Sequence, residues 1–135
     1  MYKFQDLKIG QTLKKKFIFK RNLVLKFAET VDDKAPIHID LDYAKKRGLK
    51  KNIVHGFYIS SIFSGMLGEK LPGPKTVINT LNLKFHRKVF IDDEIVFRVK
   101  INLLTKSVKA VVLSLKATNK KQKIVVSGDR ICSFI

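Results

Sequence analysis

The segment Asn52–Gly73, NIVHGFYISSIFSGMLGEKLPG, sets the plan of the whole chain. From Ile53 through Glu69 it holds no lysine, although the chain carries 28 Lys and Arg in all. Apolar residues fall on every side of a helical projection, and a helix that is apolar all round is buried all round. The spacing predicts one long helix enclosed by other elements. Gly56, Ser60, Ser61, Ser64 and Gly65 are small enough to let strands press close against it. The run LPGP, Leu71–Pro74, stops it.

Beyond that stop the pattern changes to period two. Thr76–Phe90, Asp93–Thr105, Ser107–Asn119 and Lys123–Ile135 each alternate as strands, with IDDE and TNKKQ supplying turns. Upstream, KKKFIFK (Lys14–Lys20) reads as a strand. Asn22 is placed to cap a short helix through Val31. Pro36 is expected to end helical structure and stiffen the loop DDKAPIHID, Asp32–Asp40. Asp40 then caps a second short helix, LDYAKKR, that Gly48 stops. A strand, short helices, a long buried helix and an antiparallel meander make an α+β plan.

The chain's 135 residues suit one domain, residues 1–135, with room for one real core. Charged residues are 29% and hydrophobic ones 45%, a globular balance that argues against disorder. No apolar run approaches the ~20 residues of a membrane span, and the N-terminal stretch lacks a signal-peptide pattern. The single cysteine, Cys132, has no partner for an internal disulfide. A cytoplasmic protein is expected. The net charge of +17 is spread over separate lysine-rich stretches, with no aromatic-interleaved or helix-turn-helix motif. Nucleic-acid binding is therefore not the reading adopted.

DDKAPIHID puts an acid, Asp33, and an imidazole, His38, five residues apart around a proline. Alone, that is a polar turn as readily as a general acid–base pair. His38, His55 and His86 lack the close paired spacing of a zinc site, so no metal is expected.

Three blocks taken together are more specific. DKAPIH supplies Asp33, Pro36, Ile37 and His38. IVHGFYISSIFSGMLG and then LPGPKTVINTLNLKFHRKVF follow in order. The chain resembles, almost end to end, the MaoC-like hydratases, or R-specific enoyl-CoA hydratases, whose fold is the hotdog. The family's asparagine is Ala35 here, its glycine before the aspartate is Asp32, its proline before the strand valine is Lys88, and its hairpin glycine is Asp92.

The resemblance implies a long central helix wrapped by a curved antiparallel sheet. It implies a reaction that interconverts trans-2-enoyl and (R)-3-hydroxyacyl thioesters of CoA or acyl carrier protein, without metal or organic cofactor. Asp33 and His38 would share acid and base work on one water. Gly56 would offer its backbone N–H to the enolate oxygen, and Ser64 would orient the pair. Phe57, Tyr58 and Leu67 are expected as acyl-pocket walls. A homodimer built by joining sheets is expected, with basic residues at the pocket mouth. Two rivals stay open: a hotdog thioesterase, and a binding module that lost catalysis through Ala35.

Overall fold

The computed structural model describes residues 2–135. The elements are β1 (Thr12–Ile18), α1 (Arg21–Val31), α2 (Pro36–Ile39), α3 (Leu41–Lys46), α4 (Gly56–Glu69), β2 (Thr76–Phe85), β3 (Glu94–Thr105), β4 (Ala110–Thr118) and β5 (Ile124–Phe134). All five strands form one antiparallel sheet in the order β1-β3-β4-β5-β2. Its inner face is made by alternate residues, as period two requires. On β3 these are Ile95, Phe97, Val99 and Ile101, all with no exposed surface. Against them α4 lays Ile59, Ile62, Phe63, Met66 and Leu67, the spacing of one helix face. Burying each such side chain contributes about 1.5–3 kcal/mol. No helix among the described residues is long and apolar enough to cross a membrane.

The long helix departs from expectation in one respect. It is buried on one face only: Phe57, Ser61, Ser64, Gly65 and Gly68 form an exposed stripe, and Phe57 is 85% exposed. A five-stranded sheet closes over one side of a helix, and nothing else among the described residues covers the other. Strand β2 is left bare for the same reason. It is an edge strand, and although it carries Val77, Ile78, Leu81 and Phe85, most of it is exposed on both faces.

Smaller corrections follow from cap chemistry. Lys20, not Asn22, is the N-cap of α1, and Asn22 lies inside its first turn. The first strand ends at Ile18, two residues short of Lys20, because the chain turns there into α1. Pro36 does not end a helix but begins α2, at the first helical position, where its missing N–H costs nothing. The strand after the long helix stops at Phe85 instead of Phe90. Asp40 caps α3 as expected, its side chain accepting from the Tyr43 N–H at 3.0 Å. Asp32 and Asp92 both adopt left-handed backbone (φ 55° and 72°), a region Asp enters more easily than most residues.

Candidate active site

The end of α1 fixes Asp33. Asp32 closes the helix in the left-handed conformation, and the Asp33 N–H returns to the Ala28 carbonyl at 3.0 Å. The Ala35 N–H donates to Asp33 Oδ1 at 3.3 Å, which holds the carboxylate over its own loop. Ala35 is the N-cap of α2 and makes no side-chain cap bond. An asparagine there would supply one; with alanine the turn has no side-chain cap, while Asp33 and His38 keep their own partners.

His38, on the single turn of α2, is half-buried. Its Nδ1 lies 2.8 Å from the Ile53 carbonyl oxygen. A carbonyl only accepts, so Nδ1 carries the hydrogen and Nε2 keeps a lone pair. The turn itself is stapled by residues far away in sequence. Buried Asn52 donates from Nδ2 to the Ile37 and Asp40 carbonyls at 3.1 and 2.7 Å, and its Oδ1 accepts from Arg21 at 3.1 Å. Arg21 also reaches the Ile39 carbonyl at 2.9 Å.

His55 completes the cluster. It is buried at the N-cap of α4. Its Nε2–H donates to the Asp33 backbone carbonyl at 2.9 Å, and its ring stacks on His38 with centroids 3.8 Å apart. Phe27 flanks it at 5.2 Å. Side-chain ligating atoms of Asp33, His38 and His55 all lie within 4.8 Å of one another. Sequence spacing concealed this convergence. His55 makes no side-chain cap bond to its own helix; it ties the start of α4 to the Asp33 loop and stacks on His38.

Burial pushes the His38 imidazole below its ordinary value. The bond to Ile53 opposes that shift, His55 adds to it and Asp33 works against it. The neutral ring, with Nε2 free to take a proton, is therefore the form present at neutral pH. Activity that depends on it should hold above the ordinary histidine value of 6.5 and fall only on acidification below it. The pH dependence of kcat/KM checks this. An acid limb displaced above 6.5 would contradict the geometry.

Two adjoining cavities share Gly56 and Phe85 as walls. One, of about 340 Å³, is lined by His38, Gly56 and Phe85, with His86, Arg87 and Lys88 at its rim. The other, about 210 Å³, is an apolar slot between the start of α4 (Gly56, Phe57, Ser60) and β2 (Leu81, Leu83, Phe85). Gly56 is the first residue of α4, so its N–H has no intrahelical acceptor and sits at the positive end of the helix dipole. A β-carbon at Gly56 would come within 3.3 Å of the Phe85 ring, so a side chain there would press on the wall the two cavities share.

The structure brings Asp33 and His38 together and puts His38 and Gly56 on one cavity wall, while Asp33 itself is exposed and lines neither cavity; Phe57 lines the slot. The structure does not place the other expected residues there. Tyr58 packs into an aromatic cluster with Phe17, Phe19 and Phe27. Leu67 is buried in the core. Neither lines the slot. Ser64 is exposed, two helical turns beyond Gly56, and makes no hydrogen bond to the dyad among the described residues. His86 bonds Ser127 Oγ at 2.6 Å from the rim.

Comparison with known proteins gives the family. The model of the MaoC-like domain matches residues 6–125. The chain is 29% identical to an (R)-specific enoyl-CoA hydratase of Aeromonas caviae, over 94% of this chain and 95% of the relative. It is 32% identical to a mitochondrial 3-hydroxyacyl-[acyl-carrier-protein] dehydratase of Arabidopsis thaliana, over 91% and 75%. The solved structure of an (R)-hydratase from A. caviae superposes with a TM-score of 0.93, at 28% identity, covering 97% of this chain and 99% of the other. Its sheet-wrapped helix is the hotdog arrangement expected from the sequence. By family model, relatives and fold together, the chain belongs to the MaoC-like domain family.

Proposed function

We propose that the whole chain is one MaoC-like hotdog unit that adds water to trans-2-enoyl thioesters to give (R)-3-hydroxyacyl thioesters, and runs the reverse dehydration. The observation that supports this reading is the convergence of the Asp33 carboxylate and the His38 ring, with His38 on the cavity wall that also holds Gly56, the first residue of α4.

A water held between the pair gives a proton to His38 Nε2 as its oxygen bonds to C3 of the enoyl group. Asp33 accepts the water's second hydrogen and so fixes its direction. Negative charge moves to the thioester oxygen, where the Gly56 N–H receives it. Such a donor contributes ~2.7–4 kcal/mol in comparable sites. The pair then returns a proton to C2 on the same face, and the product differs from substrate by one water. The apolar slot along Phe57, Leu81, Leu83 and Phe85 takes the acyl tail.

A homodimer is part of the proposal. The free edge of β2 and the bare stripe of α4 both lie open, with Phe57, Val77, Ile78, Leu81 and Phe85 exposed. Pairing β2 with β2 of a second copy covers an edge that would otherwise invite aggregation. Ser64 lies on the α4 stripe, and its orienting role is proposed within the dimer. A cytoplasmic setting is also proposed, supported by a lone, buried cysteine that needs no oxidising compartment.

The rim residues Arg87 and Lys88 suit the phosphates of CoA or the acidic surface of a carrier protein. Raising ionic strength should then raise KM several-fold with kcat nearly unchanged, because screening acts on encounter and not on the buried chemistry. Steady-state kinetics across a salt series checks this, and a flat KM would assign the lysine excess to the general surface. The functional reading itself is tested by hydration of crotonyl-CoA, followed as loss of the conjugated enoyl absorbance.

A further inference from the structure

Arg130 is a buried cation that nothing in the fold explains. It is 2% exposed, and its Nε and Nη1 have no hydrogen-bond partner among the described residues. It forms no ion pair with any described carboxylate. A guanidinium stays charged in a protein, and leaving one buried and unpaired is among the costliest arrangements a fold can hold. Its neighbours give no relief. Burial pushes its ionisation down from the ordinary value, and only the Cys132 thiol acts the other way.

Its place in the sheet is informative. Arg130 pairs directly with Leu81 on one side and Leu113 on the other. Its buried alternation partners, Val126 and Cys132, put it on the inner face of β5. Leu81 is a wall of the apolar slot, and residues opposite one another in an antiparallel pair have Cβ atoms only ~4.5–5.5 Å apart. Phe85, at the end of the slot shared with the dyad cavity, lies four residues back along β2, about 14 Å at ~3.4 Å per residue. Arg130 is therefore the cross-strand neighbour of the slot wall farthest from His38, buried behind Leu81 and not itself lining the cavity.

A second copy on the bare α4 and β2 face does not supply the missing charge. Strand β2, TVINTLNLKF, contains no acid, and α4 has one only at its last residue, Glu69. Glu69 apart, neither element offers a counter-charge, which leaves a ligand as the other source.

We infer that Arg130 is a specificity determinant at the far end of the acyl slot, and that the protein favours enoyl thioesters whose acyl tail ends in a carboxylate. This rests on the hydratase reading above. A carboxylate on the tail meets the fork of the guanidinium with charge-assisted hydrogen bonds, while a plain alkyl tail leaves the cation unpaired and is disfavoured.

The test compares wild type and Arg130→Met on 2-enoyl-CoA ladders with and without a terminal carboxylate. Binding of the corresponding saturated acyl-CoA thioesters is measured alongside by calorimetry. In wild type the terminal carboxylate should improve kcat/KM, and tighten binding of the saturated analogue, at one preferred length. In Arg130→Met that advantage should fall by about 10²-fold, and kcat/KM for plain alkyl tails should rise. Arg130→Gln, which keeps polarity without charge, should lose most of the same advantage. Equal treatment of both ladders by wild type would overturn the inference. So would a preference that survives in both variants, or a loss of dimer in both without ligand, which would assign Arg130 to the subunit contact. If no enoyl thioester turns over, the hydratase reading fails, while the calorimetric comparison still decides the role of Arg130.

Discussion

Replacing Asp33 with Asn, or His38 with Asn, is expected to lower kcat for enoyl hydration by about 10²–10⁴, the usual contribution of a positioned acid or base. Both substitutions are chosen to keep the structure. Asparagine at position 33 still offers an oxygen to the Ala35 N–H. Asparagine at position 38 places an amide N–H near the Nδ1 position, so the bond to the Ile53 carbonyl can persist while Nε2 is lost. KM should change little, since neither group holds the acyl tail, and thermal melting should stay close to wild type. Steady-state kinetics and a melting curve on each variant check this. Near-wild-type turnover in both would remove the dyad from the mechanism.

The second large effect is expected from Gly128→Ala. Gly128 on β5 pairs with Leu83 on β2 and Leu115 on β4. A β-carbon there would sit inside the van der Waals radius of the Asn82 carbonyl oxygen and press on Leu83 at 2.9 Å. The first neighbour is backbone and cannot rotate away, so β2 has to move off β5. Overpacking costs about 1–3 kcal/mol and occasionally more. With the obstacle a main-chain oxygen in a strand ladder, a fall in Tm of about 10 °C is expected. Activity should fall as well, because β2 carries Leu81, Leu83 and Phe85, the strand side of the acyl slot. Calorimetry and kinetics on the one variant check both. An unchanged Tm would mean that β2 is not held this closely to β5.

What the sequence disclosed, and what it hid, follows from the range of the interactions. Alternation along the last four strands is a local property and is visible residue by residue, as is the apolar run from Ile53 to Leu67. The step from apolar all round to buried all round held for one face of α4 only. Composition reports that a surface will be covered; it does not report whether the cover is in the same chain. Asp33 and His38 were legible because a single loop carries both.

Their supports were not. His55 bonds Asp33 from 22 residues away, Asn52 staples Ile37 from 15 away, and Asn82 meets Asp129 across 47. Such pairings depend on register, which no local pattern states. A signal for Arg130 was present: in VSGDRIC it shares strand parity with Val126, Gly128 and Cys132, the residues that turn inward. A charge at an inward position is the mark to look for in strands of this kind. Tyr58 and Leu67 do not line the slot for different reasons: Tyr58 sits about 200° round the helix from Gly56, and Leu67 lies about 16 Å along the axis from it.

The most direct measurement follows crotonyl-CoA with purified protein, monitoring enoyl absorbance and free thiol together, and resolving the stereochemistry of the product. The account predicts loss of the conjugated absorbance, no release of free CoA, and (R)-3-hydroxybutyryl-CoA as the product. It also predicts that the same equilibrium is reached from that product and not from its S enantiomer. Release of free thiol would make the protein a thioesterase, an S product would contradict the R-specific reading, and no change on any enoyl thioester would contradict the enzymatic reading altogether.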